Sequence, residues 1–417
     1  MFKPSRPELL DVLPYLTRWV ALACLVAVLA GSASAAFLWA LAWATANREA
    51  HPGLVALLPL AGFAVGWLYL HIGQSVEAGN NLLIDEIHDP RKVVPLRMAP
   101  LVLGATVVSH LFGASVGREG TAVQMGGALA DQLTHLFRLR HEDRRIILMA
   151  GIAAGFASVF GTPLAGAVFA LEVLAIGRLR YDALLPCMTA AVVADQVGIA
   201  WGVQHTHYMI GSVPVVNAWN LGAVVVAGAL FGLTGKLFAA TTHGLGAWLR
   251  GKVTYAPLRP LLGGILIAAL AFGLPLERYL GLGIPVIVEA FQQPLPFHDF
   301  AAKLGLTALS LASGFKGGEV TPLFYIGATL GNALAPLLDL PFGLLAGVGF
   351  VAVFAGAANT PIASTLMAME VFGAEVGVFA GIACVVSYLF SGHAGIYRAQ
   401  RVAASKPCRE GRGREEP

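Results

Sequence analysis

Two glutamates, Glu119 and Glu319, stand in matching surroundings. Each lies in a glycine-flanked break ahead of an apolar stretch, in Gly117-Arg118-Glu119-Gly120-Thr121 and Gly317-Gly318-Glu319-Val320-Thr321. A carboxylate in an apolar setting is costly unless it is paired or functional. Ahead of a helix N-terminus, whose free N–H groups and dipole attract anions, it can act as a tethered anion. It would leave that place when a mobile anion enters or a proton neutralises it. The plain alternative is an ion pair, Glu119 with Arg118 and Glu319 with Lys316. Gly79-Asn80-Asn81-Leu82-Leu83 supplies another Gly-led helix start. Asn80 and Asn81 carry amide N–H groups that can donate to an anion, or that merely serve their own helix. Tyr397, in Gly395-Ile396-Tyr397-Arg398, is a phenol at the end of the last apolar run. On its own it reads as a membrane-interface aromatic.

The elements that must position these groups are membrane helices. Of 417 residues, 57% are hydrophobic and only 12% charged, against about 25% charged in soluble domains. A soluble globule, a disordered chain and a coiled coil are excluded. The 49 glycines suit close helix contacts in lipid. Net charge is +3, which gives no reason to expect nucleic-acid binding. Cys24, Cys187, Cys384 and Cys408 lie far apart and form no metal spacing. Residues 21–47, 52–76, 99–117, 146–171, 196–235, 340–369 and 376–397 are free of charge. A spanning helix needs about 20 apolar residues. The first run is too long for a signal-peptide core and is kept as a helix of the mature protein. Strand alternation is absent, so helices are the spanning elements. Gly and Pro interrupt them, as at Gly161-Thr162-Pro163 and Asn359-Thr360-Pro361. Half-helices that break at membrane depth survive where they face protein or a watery cavity.

The chain repeats itself. Gly161-Thr-Pro-Leu-Ala-Gly-Ala-Val-Phe-Ala-Leu-Glu-Val-Leu174 aligns with Asn359-Thr-Pro-Ile-Ala-Ser-Thr-Leu-Met-Ala-Met-Glu-Val-Phe372. Gly117–Thr121 aligns with Gly317–Thr321, and Gly79–Pro90 more weakly with Gly283–Pro294. The order is kept and the offset nearly constant. Paired halves with broken helices are the signature of a transporter whose site lies between the repeats.

These residues resemble the CLC family of chloride channels and transporters. Gly117-Arg-Glu-Gly-Thr121 is similar to that family's Gly-Arg-Glu-Gly-Pro motif. Gly79-Asn80 stands where the family has Gly-Ser-Gly-Ile-Pro, and Gly318-Glu-Val-Thr-Pro322 where it has Gly-x-Phe-x-Pro. Phe160-Gly-Thr-Pro-Leu-Ala-Gly166 with Leu171-Glu172 is similar to its Asn-x-Pro-Leu-Ala-Gly helix, and Tyr397 falls at its anion-site tyrosine. Gly281-Leu-Gly-Ile-Pro285 imitates the first motif but lies in the wrong half. The likeness runs from about residue 20 to 405. Asn80 replaces the anion-site serine, Thr121 the motif proline and Val320 the phenylalanine beside Glu319. Val173 stands where chloride/proton exchangers keep a proton-handling glutamate. Together these departures resemble the fluoride/proton antiporter branch.

The resemblance implies an all-α polytopic membrane protein with the CLC fold, two inverted-topology repeats of tilted and broken helices. It implies a homodimer with one pore per subunit. Glu119 would be the gating and proton-carrying glutamate. Asn80, Thr321 and Tyr397 would line the anion path with the backbone N–H groups of Val320 and Thr321, and Glu319 and Thr321 would be peculiar to the fluoride branch. With the residue-level reading, the anion-binding candidates are Asn80, Asn81, Gly117, Thr121, Glu319, Val320, Thr321 and Tyr397. The expected function is fluoride export driven by the proton gradient, with a chloride/proton exchanger or a passive anion channel as the alternative. Fluoride and protons would be the substrates. No metal, cofactor or nucleic acid is expected. An enzyme is not expected either; His141-Glu142-Asp143-Arg144-Arg145 fails the HExxH pattern. The expected organisation is an N-terminal segment 1–20, membrane repeats 21–200 and 201–401, and a tail 402–417. The basic termini place both ends in the cytoplasm of a cell whose inner (plasma) membrane holds the protein. The tail is expected to be polar and mobile, with no soluble domain after it.

Overall fold

The computed structural model describes residues 7–407, so Cys408 and the basic residues beyond it lie outside the described part. The first half runs α1 (Pro7–Ala50), α2 (Leu58–Leu68), α3 (Asn80–His88), α4 (Met98–Leu111), α5 (Glu119–Leu136), α6 (His141–Phe160), α7 (Pro163–Glu172) and α8 (Leu184–Ala200). The second runs α9 (Ala218–Lys252), α10 (Leu258–Gly273), α11 (Ile284–Gln292), α12 (Asp299–Ser313), α13 (Val320–Leu338), α14 (Phe342–Ala358), α15 (Pro361–Phe372) and α16 (Gly377–Phe390). Helices such as α1 and α9 are long and apolar enough to cross a membrane. Others, such as α3, α7, α11 and α15, are half-length.

The expected helix breaks are present, and each has a local cause. α3 and α11 both have 9 residues. Both start after a glycine at positive φ, Gly79 at 60° and Gly283 at 72°, a conformation that disfavours a side chain. α6 and α14 both end at a left-handed residue, Gly161 at 71° and Asn359 at 57°. Thr-Pro follows each, and the proline opens α7 and α15, where its missing N–H costs nothing.

The half-helices must satisfy their free N–H groups without water. They do so across the two repeats. Glu172, ending α7, accepts from Ile362 and Ala363 N–H at 3.1 and 2.8 Å, the first turn of α15. Glu370 of α15 accepts from Leu164 and Ala165 N–H of α7, both at 2.8 Å. The aligned Glu-Val pairs therefore cap each other's helices, as a pseudo-two-fold requires. Gly126 and Gly151 press α5 on α6, and Gly327 and Gly349 press α13 on α14. At each, an added Cβ would overlap the facing carbonyl.

Three expectations are corrected. Run 196–235 is not one span, because an extended segment, 201–217, separates α8 from α9. The stretch 320–338, also free of charge, is a further spanning candidate, α13. The start of the tail is docked rather than mobile. β1 (Ala175–Ile176) pairs in parallel with β2 (Arg401–Val402). Lys406 is buried, with its Nζ on Asn359 Oδ1, Ser391 Oγ and the Tyr388 and Gly392 carbonyls.

One charged cluster fixes α3 and so the place of Asn80. Arg144 of α6 is buried and donates to Asp131 Oδ1 and Oδ2, both at 2.8 Å, to Glu86 of α3 at 2.9 Å and to the Lys92 carbonyl at 2.6 Å. Asp131 also accepts from Val94 N–H at 2.7 Å. In the second repeat the neutral Asn332 accepts from Leu295 N–H at 2.9 Å. Arg144→Met strands two carboxylates, and removing one partner of a buried pair costs about 3–5 kcal/mol. The expected result is a large loss of thermal stability in detergent. A midpoint equal to wild type would show that the cluster does not hold α3.

Candidate functional site

The segments ahead of α5 and α13 meet back to back. Gly117 N–H donates to the Gly318 carbonyl at 2.6 Å and Gly318 N–H to the Gly117 carbonyl at 2.8 Å, an antiparallel bridge. Only small residues allow this approach: a Cβ on Gly117 would lie 2.9 Å from Gly318 O. Gly117 thus contributes by bringing the two helix starts together.

The bridge places Glu119 over the first turn of α13. Its side chain has no exposure. Oε2 accepts from Thr321 N–H at 3.0 Å, and the Thr321 hydroxyl faces both carboxylate oxygens at 2.5 and 2.6 Å. Arg118 Nε lies 3.3 Å from Oε1, and the Arg118 side chain is 19% exposed. The ion pair proposed as the plain reading therefore exists, but the Thr321 bonds are shorter and buried. Glu119 holds the place of an anion at a helix N-terminus.

Two cavities reach the residues around Glu119, one through Glu319 and the other through Arg118. One, of about 620 Å³, is lined by Asn80, Asn81, Gln124, Lys316, Glu319 and Tyr397. The other, of about 410 Å³, is lined by Arg118, His205, Leu282 and Ile284 among others.

Around Gly120 the remaining candidates converge. A Cβ there would lie 2.9 Å from Asn80 Nδ2, 3.2 Å from Gly318 Cα and 3.8 Å from Glu319 Oε2. Asn80 Oδ1 and Glu319 Oε2 are both buried without a hydrogen-bond partner. Unpaired buried polar atoms are uncommon and call for an explanation, and these two lie around the same glycine. Asn80 is the first residue inside α3 and Gly79 holds the N-cap position. Glu319 makes no ion pair with Lys316 among the described residues; Lys316 Nζ instead lies 4.1 Å from the Tyr69 ring centroid. Tyr397 is buried, packs edge-on to Phe169 and lines the same cavity as Asn80 and Glu319. Val320 is buried at the first position of α13.

Two candidates are turned elsewhere. The Thr121 hydroxyl lies 2.8 Å from that of Thr106 on α4, within the helix packing. Asn81 Oδ1 accepts from Ala399 N–H at 3.0 Å. Asn81 therefore ties down the loop that carries Tyr397. His243 does the same through the Gly395 carbonyl at 3.0 Å, and Ile396 N–H donates to the Ala357 carbonyl at 2.9 Å. Gln124, on α5 and beside Gly79, was missed. Its sequence signal is an amide five residues after Glu119, among the small and apolar residues of the first half of α5.

The expectation that the chain holds no Gly-x-Ser-x-Gly elbow is corrected at the level of spacing, since Gly113-Ala-Ser-Val-Gly117 has it. Ser115 is fully buried, however, with its Oγ 2.9 Å from Thr307 Oγ1 and its N–H on Ser310 Oγ. Among the described residues its hydroxyl partner is the Thr307 hydroxyl, whereas an activated serine pairs with a base.

The profile of the voltage gated chloride channel family matches residues 61–392. The chain belongs to the voltage-gated chloride channel, or CLC, family. A chloride/fluoride channel protein of Pseudomonas syringae pv. tomato is 68% identical over 412 residues, covering 97% of this chain and 91% of the relative. A solved CLC-type fluoride/proton antiporter shares 35% identity, with a TM-score of 0.91 over 96% of this chain and all of the other. A slow cyanobacterial Cl−/H+ antiporter, at 21% identity, matches in fold with a TM-score of 0.80 over 91% of this chain and 96% of the other. The all-α membrane architecture of two inverted repeats is therefore the CLC fold, and this CLC chain is a multi-pass membrane protein.

Proposed function

We propose that this CLC protein is a fluoride/proton antiporter that exports fluoride using the proton gradient. One observation carries the reading. The Glu119 carboxylate sits on the Thr321 N–H and hydroxyl at the start of α13, and its neighbours Glu319 and Arg118 each line a cavity. A carboxylate there competes with a mobile anion for the same donors. Protonation removes its charge and weakens its hold, so proton binding and anion binding are coupled through one side chain. Transport, not catalysis, is the role of the site.

The donors favour a small anion. Fluoride holds its water tightly, so a site must replace that shell with several close N–H and O–H groups. Asn80, Tyr397, Thr321 and the start of α13 supply them, with Glu319 beside them. Exchange of one fluoride outward for one proton inward moves two charges in the same electrical direction. At about 2.3 kcal/mol per charge per 100 mV, that gives roughly 4.6 kcal/mol, enough for about a thousandfold gradient. Val173 supports this over the chloride/proton exchanger. It is buried, and its carbonyl accepts from the Gln400 amide at 3.0 Å.

In this reading residues 21–200 and 201–401 form the two repeats, flanked by 1–20 and 402–417 in the cytoplasm. The protein works as a homodimer in the inner (plasma) membrane and needs no cofactor. Efflux of fluoride and of chloride from matched proteoliposomes tests the substrate. Fluoride is expected to leave at least tenfold faster, about 1.4 kcal/mol of discrimination. Equal rates would return the protein to the general chloride branch.

A further inference from the structure

The cavity of about 410 Å³ holds a histidine that the site described above does not use. Glu49, Arg118, Gln204 and His205 are its polar lining residues with Thr45. α8 starts soon after β1, the strand that pairs with the basic tail, and its 17 residues rise about 25 Å to the opposite side. His205 follows that far end, in the extended segment 201–217. In the topology proposed above it faces the outside of the cell.

The ring is fixed in place. It lies against Gly161, where an added Cβ would come 2.5 Å from the imidazole. The repeat partner of Gly161 is Asn359, so the side chain missing from the first repeat is the room that the ring fills. Asp195 of α8 stands 3.8 Å away, Oδ1 to Nε2. Both of those atoms are buried without a hydrogen-bond partner. Asp195 Oδ2 accepts from the Gln196 amide at 3.2 Å. The two side chains form an ion pair only when the imidazole is protonated. The other charged or titratable groups within range of the ring are Arg118 and His207. Glu49 shares the cavity wall, and Glu370 of α15 is within range of Asp195.

The Glu119 side chain has no exposure, so its proton needs a route. Arg118, its neighbour and its ion-pair partner at 3.3 Å, lines this cavity. Arginine keeps its proton near neutral pH, and an ordinary carboxylate such as the half-exposed Glu49 has none to give there. An imidazole changes charge between about pH 5 and 8.

We propose that His205, oriented by Asp195, is the outer proton port of the antiporter, passing protons between the outside medium and Glu119 through water in this cavity. Inward, an imidazolium N–H bond breaks and the proton moves along the water to the Glu119 carboxylate as it leaves the Thr321 donors. The neutral ring then takes the next proton from the medium. Asp195 is a positioning residue that favours the charged ring. The proposal rests on the antiport reading and adds the group that serves Glu119 from outside.

The test is the initial rate of fluoride release above that of protein-free vesicles, with voltage clamped, external pH recorded, and inner and outer pH set equal at steps from about 6 to about 8.5. His205→Gln is expected to slow release about tenfold at the alkaline end, with the deficit shrinking as the pH falls. Imidazole added to the medium is expected to restore the rate. Asp195→Asn keeps the histidine but removes the charge that favours its protonated form. The pH at which the rate falls should therefore move down by about one unit. A ring that only packs on Gly161 would give His205→Gln a deficit equal at every pH and deaf to imidazole, and that result overturns the proposal. Rates in His205→Gln equal to wild type overturn it as well, as does an unshifted profile in Asp195→Asn. Fluoride release by wild type without proton uptake overturns the antiport reading and the proposal together. A wild type that couples, beside any of the preceding three results, overturns the proposal alone.

Discussion

Glu119→Gln abolishes fluoride-driven proton movement, bringing it to the level of protein-free vesicles. Glutamine keeps the length of the side chain and an oxygen for the Thr321 N–H, so the two helix starts stay assembled. It cannot take up or release a proton near neutral pH, and it is not displaced as a charge. The Thr321 bonds at 2.5–3.0 Å are the contacts whose strength depends on that charge, since hydrogen bonds to an ionised acceptor are roughly twice as strong as neutral ones. Glu119→Gln vesicles that still move protons uphill on a fluoride gradient would remove Glu119 from the proton path.

The second large effect falls on Glu319. Glu319→Gln, alone or with Lys316→Met, slows fluoride turnover at least tenfold, about 1.4 kcal/mol in the barrier, while the protein stays folded and elutes from gel filtration as wild type does. Had Glu319 been only the partner of Lys316, neutralising both would have been harmless, because removing both members of a pair strands no charge. The two are not paired: Lys316 lies on Tyr69, and Glu319 Oε2 is buried without a partner near Asn80. The double variant therefore gives no rescue of turnover. Turnover near wild type in the double variant, with normal gel-filtration behaviour, would reduce the site to Glu119, Asn80 and Tyr397.

Why some of this was legible in the sequence and some was not follows from range. The Gly79, Gly117, Gly317 and Thr-Pro breaks are local constraints of backbone conformation and close approach, so they leave their residue types in the chain. Their recurrence exposes the repeat, and the repeat pairs Glu119 with Glu319. Side-chain direction is another matter. Asn80 and Asn81 are neighbours, yet one amide reaches Gly120 while the other holds Ala399, 318 positions away. Thr121 sits in the right motif, but Thr106 on another helix takes its hydroxyl. Adjacency misled at Lys316, whose preferred contact is an aromatic ring from a distant part of the chain. Charge-free runs overcounted at 196–235, because absence of charge does not prevent the extended segment 201–217. The docked tail was hidden for the same reason: Arg401 and Lys406 mark a polar tail until β1, Asn359 and the end of α16 are folded against it.

The central claim is obligatory coupling of fluoride to protons, and wild-type proteoliposomes test it directly. Vesicles loaded with fluoride, at equal pH inside and out and with a potassium ionophore clamping the voltage at zero, are diluted into fluoride-free medium while external pH is recorded. The account predicts that fluoride leaves and protons enter against no gradient of their own, so the medium turns alkaline in proportion to the fluoride released. Fluoride release with a flat pH trace would contradict it and make the protein a passive anion channel.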